Sequence, residues 1–241
     1  MFYIVIGSIV VFVGSLVQGS VGFGFALIIV PTLLLILPQE HVTPVVVLLS
    51  LALNGVALYE CHRILQKKTV FLLSISGILG VPFGVYLLQE VNAQAFKLIV
   101  GVLIVILACL LKTGWKRSPR NQTVAGFFPV GFVSGIMNGS IALNGPPVIL
   151  FFTHIKLEKE VFRANLLGYF FISNCFTILY FVYSDLIHQQ ILYDSLIYYP
   201  SLLLGTVVGI KVSKRIPEKI FRNVVFLVVG VMGLALIVTN I

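Results

Sequence analysis

The segment Gln18-Gly19-Ser20-Val21-Gly22-Phe23-Gly24-Phe25 lies in the middle of an uncharged run at residues 2–37. One helix of that length would extend about 54 Å, which is too long for one membrane crossing and slightly short for two. Glycine is unfavourable inside a helix and adopts backbone conformations that other residues avoid. We therefore expect the run to break at this segment into two helices, at about 2–17 and 21–37.

A second segment, Asn138-Gly139-Ser140-Ile141-Ala142-Leu143-Asn144-Gly145-Pro146-Pro147, interrupts another uncharged run at about 123–155. It predicts a second pair of short helices, one ending at about 137 and the next beginning at about 146. Glycines and mid-span polar residues recur at a fixed offset by chance much less often than apolar residues, so two repeats are predicted. The residues that match at an offset of 120 include Gly19, Ser20 and Asn54 with Gly139, Ser140 and Asn174.

The composition excludes an ordinary soluble domain. Of the 241 residues, 59% are hydrophobic and only 10% are charged, whereas soluble domains are about a quarter charged. The apolar blocks of about 16 to 23 residues suit helices that cross a hydrocarbon core, rather than the alternating strands of a barrel. The formal net charge of +8 comes from short connections between these blocks. It therefore indicates orientation and contact with anionic lipid, and no nucleic-acid partner is expected.

The other apolar blocks predict six further helices, and the charge of their connections predicts their direction. The connections at about 60–68, 112–121, 156–163 and 211–222 are net positive, so we expect them in the cytoplasm. Glu90 and the acidic segment 185–194 are expected outside. Two glycine pairs spaced by four residues, Gly80/Gly84 and Gly205/Gly209, predict close helix approach. The further helices are predicted at about 42–59, 69–88, 95–111, 164–183, 192–210 and 221–239.

Each half of the chain is therefore predicted to hold about five helical elements. Because five is odd, the second repeat would be inverted relative to the first. The predicted fold class is an all-α polytopic membrane protein with 8–10 transmembrane segments, in which a broken or re-entrant helix pair of each repeat lies at the repeat interface. The predicted boundaries are 1–111 for the N-terminal repeat, 112–122 for a basic cytoplasmic loop and 123–241 for the C-terminal inverted repeat.

The two breaks together predict a binding site for a small anion. Helices of about 16 residues rise only about 24 Å, so two such pairs that enter from opposite faces would meet near the membrane midplane. Amides at a helix start bind anions, and glycine allows a ligand to approach the backbone. The predicted substrate-binding residues are Gln18, Gly19, Ser20, Gly22, Gly24, Asn54, Asn138, Gly139, Ser140, Asn144, Gly145 and Asn174.

These residue types also have a purely structural interpretation. Glycine and proline kink membrane helices, and a buried asparagine can hydrogen-bond a neighbouring helix. Both interpretations stay open for Asn54 and Asn174. Arg63 and Arg163 are either entrance residues or interfacial anchors. All eight acids lie at or near span ends, and the absence of an obvious mid-membrane carboxylate favours an anion over a cation.

Enzymatic activity is not expected from this sequence. It holds no HExxH or GxSxG motif, and no base is apparent near Ser20 or Ser140 in either uncharged run. The three cysteines show no metal or redox spacing, so no metal and no cofactor is predicted. The four histidines lie at helix ends or in connections, where interfacial roles are expected rather than proton relays.

The two segments resemble those of the sulfite exporter TauE/SafE family, also called the toluene-sulfonate uptake permease group. The resemblance is carried by QGSVGFGFAL at 18–27 with PTLLL at 31–35, and by GFVSG at 131–135 with Gly139-Ser140 and NGPPVILFF at 144–152. It covers essentially the whole chain. One departure is Ala142, where the family often has glycine.

The resemblance implies a multi-pass bacterial inner-membrane permease that moves sulfite, sulfonates or related sulfur-containing anions, usually outward. The expected function is a secondary transporter that holds a small anion where the two breaks meet. Two alternatives remain, a channel-like anion facilitator that uses the same site and a transporter of another small organic anion. The sequence leaves open the transport direction, the energy coupling and whether the protein is a homo-oligomer.

Overall fold

The protein is all-helical wherever its structure is described. The computed structural model describes residues 2–100, 102, 124–154, 157–213 and 238, and no strand occurs among them. A short 3-10 turn, His62–Ile64, follows the third helix, and residues 93–100 are also helical. The helices are α1 (Phe2–Val21), α2 (Phe25–Leu34), α3 (Gln39–Cys61), α4 (Lys67–Glu90), α5 (Val124–Ile141), α6 (Gly145–His154), α7 (Lys159–Tyr183) and α8 (Gln189–Ser213).

Five of the described helices are long and apolar enough to cross a membrane, by length and composition. This agrees with the predicted polytopic membrane protein. The helices predicted at about 95–111 and 221–239 and the loop predicted at 112–122 lie mainly or wholly outside the described residues. The five candidate spans are Ile4–Val21, Gln39–Ile64, Lys67–Glu90, Glu160–Tyr183 and Gln189–Val212.

The first helix pair is unequal, whereas the sequence predicted two helices of similar length. α1 continues to Val21 and α2 has only 10 residues. The first break (residues 22–24) occurs where Gly22 and Gly24 adopt φ values of 93° and 113°, a left-handed conformation that favours glycine. Gly19 stays helical, because its lack of a side chain lets α1 lie against the backbone of Thr206 in α8.

The second helix pair differs from its prediction in the same way. α5 continues to Ile141, four residues beyond the predicted end, and α6 begins at Gly145. The second break (residues 142–144) begins at Ala142, which has a positive φ of 56°. Gly139 stays helical because α5 packs closely there on the backbone of Val81 in α4. Both helix ends are thus displaced by contacts with a neighbouring helix.

The two breaks lie toward opposite ends of the bundle, and not together at its middle as the sequence predicted. Near the start of α3, Thr43 Oγ1 donates to the Ser140 carbonyl beside the second break, at 3.2 Å. Just beyond the end of α3, the Gln66 amide donates to Asn165 Oδ1 at 2.8 Å, two residues after Arg163, which contacts the first break. The physical reason is length, because α1 has 20 residues and rises about 30 Å, a full crossing instead of a partial one.

The two halves of the chain are interleaved in one bundle. α1 packs mainly on α8, α5 packs mainly on α4, and α3 packs on α7. Each of these pairs joins a helix of the N-terminal half to a helix of the C-terminal half. The larger hydrophobic core likewise contains residues of both halves. At the offsets seen in the sequence, α1 corresponds to α5 and α4 corresponds to α8, so the α1/α8 pair is equivalent to the α5/α4 pair.

Glycine seams make the two main contacts, as the glycine pairs predicted. On α8, a side chain at Gly205 or Gly209 would collide with the α1 backbone at Phe12 or Leu16. On α4, a side chain at Gly80 or Gly84 would collide with the α5 backbone at residues 132 and 136. In both pairs the contacts advance along the two helices together, so the paired helices run parallel. Close backbone approach of this kind is the usual basis of helix association in membranes.

Candidate functional site

Gln18 closes the first break from within the protein. The Gly22 amide donates to the Gln18 carbonyl at 2.7 Å, which ends α1. The first amide of α2, at Phe25, donates to Gln18 Oε1 at 3.0 Å. Gly24 lies so close to the Val17 side chain that a Cβ there would be 2.8 Å from Val17 Cγ1. One of the amides freed at the start of α2 is therefore already satisfied by a side chain.

The same glutamine connects the break to α3. Gln18 Nε2 donates to Asn54 Oδ1 at 2.6 Å, and both side chains are buried. Both polar groups of the Gln18 amide thus have partners, one on α3 and one on α2. A buried amide that bonds on both sides holds its neighbours in a defined arrangement, because leaving either partner unpaired costs free energy.

The second break has a different set of backbone contacts. The Ala142 amide donates to the Asn138 carbonyl at 3.1 Å, and the Leu143 amide donates to the Met137 carbonyl at 3.2 Å. The Ser134 hydroxyl donates to the Asn144 carbonyl. α6 then begins at Gly145, and prolines at 146 and 147 occupy its first turn, where a backbone N–H is not needed for the helix.

Asn138 joins the second break to α7. Its Nδ2 group lies 3.1 Å from Ser173 Oγ, 3.0 Å from Asn174 Oδ1 and 2.8 Å from Thr177 Oγ1. Asn144 Nδ2 also approaches Asn174 Oδ1, at 3.4 Å. An Nδ2 group has two hydrogens, so it cannot bond three acceptors at once. Asn138 Oδ1 is buried and has no hydrogen-bond partner among the described residues.

The same amide pair therefore occurs beside both breaks. Gln18 corresponds to Asn138 and Asn54 corresponds to Asn174 at an offset of 120 residues. In each half the bond joins an amide side chain to an asparagine 36 residues later, on the helix that follows the broken pair. The sequence predicted these four residues as site residues, and the structure brings them together as two separate pairs.

Four other predicted site residues lie in helix contacts and not within the breaks. Gly19 and Gly139 are the close-packing positions described above. Ser20 Oγ is within hydrogen-bond distance of the Leu16 carbonyl, at 2.7 Å, and of the Gly209 carbonyl of α8, at 3.0 Å. Ser140 Oγ donates to the Ile136 carbonyl within its own helix at 2.8 Å. Gly22, Gly24, Asn144 and Gly145, in contrast, lie in the breaks or at their edges.

The structure separates the two arginines that the sequence left equivalent. Arg63 is exposed in the 3-10 turn. Arg163 is only partly exposed, and its Nη2 donates to the Gly19 carbonyl at 2.9 Å, at the end of α1. Its aliphatic part lies against Gly22, where a Cβ would be 2.9 Å from Arg163 Cγ. The cation therefore lies over the first break.

Other polar partners were not identified from the sequence. Ser173 and Thr177 are one helical turn apart on α7 and flank Asn174, so their spacing on one helix face would have indicated them. Ser134 lies on α5, one turn before Asn138. Thr43 on α3 gave no such signal, because a lone threonine in an apolar helix usually bonds its own backbone.

A titratable pair lies at the opposite end of α3 from Arg163. His41 Nε2 is 2.9 Å from Asp194 Oδ2, and Gln190 Nε2 donates to Asp194 Oδ1 at 3.1 Å. Asp194 is buried in the second turn of α8, although the sequence suggested only a position near a span end. No group of three or more histidine, cysteine or acidic residues in the described ranges could hold a metal ion.

Comparison with known proteins identifies a family for the chain. The family model described as sulfite exporter TauE/SafE matches residues 7–236. The match includes both breaks, both amide pairs and Arg163. No curated protein and no solved structure matches the chain. The residues quoted above as resembling this family all lie within the matched range, and the chain belongs to the sulfite exporter TauE/SafE family.

Proposed function

We propose that the protein is a secondary transporter, a permease that exports small sulfur-containing anions such as sulfite or organosulfonates across the bacterial inner membrane. The family membership supports transport and this substrate class. The helical bundle supports a carrier, because irregular backbone at two breaks is accompanied by buried amide side chains, which are costly within a membrane unless they serve packing or ligand binding. The proposal assigns no catalytic role to any residue.

The observation that carries the proposal is the repeated amide pair. In both halves an amide side chain lies four residues before the break and bonds an asparagine 36 residues later. Amide N–H groups donate hydrogen bonds to an anion without fixing a counter-charge in the membrane. Binding by such donors can be selective and still weak enough to permit release, which a carrier requires.

The second pair supplies the donors that are easiest to redirect. Asn138 Nδ2 has more acceptors nearby than hydrogens, and the Asn144 to Asn174 contact is long at 3.4 Å. Either N–H group could move to an oxyanion with a small loss of internal bonding. Gly22, Gly24 and Gly145 would let the anion approach the backbone. Gly19, Ser20, Gly139 and Ser140 would act indirectly, by setting the helix contacts.

An inverted-repeat architecture follows as part of the proposal. The boundaries are those expected from the sequence, with repeats at 1–111 and 123–241 and a basic loop at 112–122. Support comes from two equivalent helix contacts between the halves, that of α1 with α8 and that of α5 with α4. Further support is the occurrence of a positive φ at equivalent positions, Gly22 and Ala142.

The charge distribution supports an orientation for the two breaks. The first break contacts Arg163, and the Gln66 amide, next to Lys67 and Lys68, donates to Asn165 Oδ1 two residues after Arg163. Basic connections stay in the cytoplasm, so the first break would face that side. The second break, beside Thr43 near the start of α3, would face outward. Each break would then be reached from a different side of the membrane.

The test is flux in proteoliposomes with purified protein, using sulfite, sulfate, thiosulfate, sulfoacetate, taurine and chloride, each with and without a pH gradient. We expect saturable movement of a sulfur oxyanion. Asn144→Leu should lower the flux about 10-fold or more, the effect of losing one hydrogen bond to a charged ligand, while the protein remains folded.

Asn92→Ala is the matched control, because Asn92 is exposed and its Oδ1 accepts a local bond from the Ala95 amide at 2.9 Å. Its flux should equal that of the wild type. Movement that does not saturate would indicate a channel-like facilitator instead of a carrier. If no anion of the panel binds or moves, the proposed function is wrong.

A further inference from the structure

We propose that Arg163 is the cationic ligand of the transported anion, and that it holds the anion at the first break through its guanidinium Nε–H edge. This inference rests on the proposed function and specifies its binding site further. Sequence reasoning alone could not distinguish Arg163 from a solvated anchor. The contacts of its side chain make that distinction.

The first break is shaped to accept the Arg163 side chain. Gly22 has no Cβ, and a Cβ there would be 2.9 Å from Arg163 Cγ, so any other residue would push the arginine away. The positive φ of 93° at Gly22 also turns the backbone away from helical geometry at this point. Arg163 Nη2 donates to the Gly19 carbonyl at 2.9 Å, which orients the guanidinium over the end of α1.

One buried donor of the same guanidinium, Arg163 Nε, has no partner among the described residues. A buried N–H of a charged group is costly to leave unpaired, more so than that of a neutral one. Nε and Nη groups form a planar fork that matches two oxygens of a carboxylate or phosphate. A sulfur oxyanion presents oxygens with a similar separation, so it fits as the missing acceptor.

Arg163 also forms no ion pair with a carboxylate of the described part of the chain. The histidine–carboxylate contact found there, between His41 and Asp194, lies at the other end of α3. The other cations near this end, Arg63, Lys67 and Lys68, are exposed. Arg163 is therefore the partly buried cation that a bound anion would meet at the break, where it would supply a counter-charge to an anion that leaves water.

The site is asymmetric between the two halves. The position 120 residues before Arg163 is Thr43, and each contacts a carbonyl near the end of the broken helix of the other half. Arg163 bonds the Gly19 carbonyl and Thr43 bonds the Ser140 carbonyl, at 2.9 and 3.2 Å. The equivalent contact thus carries a full charge at the first break and none at the second. The anion should therefore bind more tightly on the side of the first break.

The test is binding of thiosulfate, a dianion, and methanesulfonate, a monoanion, to purified protein in nanodiscs by titration calorimetry. Arg163→Gln should raise the Kd for thiosulfate about 10- to 100-fold and the Kd for methanesulfonate clearly less, because the lost charge acts in proportion to the ligand charge. Arg163→Lys keeps the charge but loses the planar fork, so it should weaken binding of both by an intermediate factor. Arg63→Gln is the matched control and should leave both Kd values unchanged.

The outcomes separate this inference from the proposed function. If the wild type binds no sulfur oxyanion, the proposed function is wrong and this inference falls with it. If the wild type binds and Arg163→Gln binds equally well, only this inference is wrong. An equal weakening for both anions would mean that Arg163 acts by capping α1, which also overturns it. If Arg163→Gln does not fold, Arg163→Lys serves as the test. Wild-type affinity and selectivity for the two anions in Arg163→Lys would then overturn this inference.

Discussion

The first and second breaks differ by one methylene group at their key amide. Gln18 is long enough to bond both Asn54 on α3 and the Phe25 amide of α2, at 2.6 and 3.0 Å. The Nδ2 group of Asn138, at the equivalent position, lies beside side chains of α7, and the Oδ1 of Asn138 lacks a partner in the described part of the chain. The first break is thus tied to two helices by one side chain, and the second is not.

The difference indicates a division of roles between equivalent positions. At the first break the amide stabilises the start of α2, and a cation, Arg163, lies over the break. At the second break the amides bond less completely, and Ser134 and Asn144 supply further polar groups. The two breaks thus differ, since the first has its helix start bonded by a side chain and a cation over it, and the second has the more adjustable hydrogen bonds.

The largest expected effect is on stability at Gln18. Gln18→Leu leaves the Asn54 Oδ1 and the Phe25 N–H buried without partners, at about 1–3 kcal/mol each. Asn138→Leu should cost less, because Asn174 Oδ1 keeps its contact with Asn144. The measurement is thermal unfolding of both variants in detergent, together with Gln18→Asn, which is too short to keep both bonds. Equal loss of stability in Gln18→Leu and Asn138→Leu would remove the distinction between the breaks.

A smaller effect is expected from exchanging the residue types at the positive-φ positions. Gly22→Ala should destabilise by about 1–2 kcal/mol for its left-handed backbone, with a further loss because the new Cβ meets Arg163. Ala142→Gly relieves a comparable strain but adds flexibility to the unfolded chain, so its net effect should be within about 1 kcal/mol of zero. Thermal unfolding of both variants measures this. A larger loss of stability in Ala142→Gly than in Gly22→Ala would contradict this expectation.

The smallest loss of stability is expected at Ser134, where the halves also differ. Ser134 donates to the Asn144 carbonyl, and the equivalent position 120 residues earlier is Gly14, which packs directly on Ile29 and the Phe25 carbonyl. Ser134→Ala should cost about 1 kcal/mol, the usual net value of one hydrogen bond. Ser195→Ala is the control, since its hydroxyl bonds only within its own helix, to Ile191. Equal melting temperatures for the two variants would show that the Ser134 bond does not hold the second break.

The sequence predicted the broken helices well but misplaced where each first helix ends. The helices predicted at about 2–17 and 21–37 placed the first interruption at about 18–20, whereas the break occurs at 22–24, still within the glycine-rich segment. Glycine propensity could not show which glycines would leave the helix. Gly19 and Gly139 have the same intrinsic preference as Gly22, but they stay helical because another helix packs on them. Propensity is local, and tertiary contacts override it.

The candidate site was predicted in its residues more than in its geometry. Gln18, Asn54, Asn138 and Asn174 were identified because polar side chains in apolar spans at a repeated offset are unusual. Their pairing across helices was not readable, nor was the distance between the two breaks. That distance depends on the helix lengths, and two helices each about four residues longer than predicted carry the breaks to opposite ends of the bundle.

By itself the sequence determined the class of the protein, its repeated breaks and the amides beside them, because span length, hydropathy and glycine content are local properties of the chain. Only the tertiary structure decided which glycines turn the backbone and which serve packing. It also decided that Arg163 lies over a break while Arg63 is exposed, and that His41 meets Asp194. These facts depend on which helices become neighbours, since residues more than 100 positions apart along the chain come into contact only in the folded bundle.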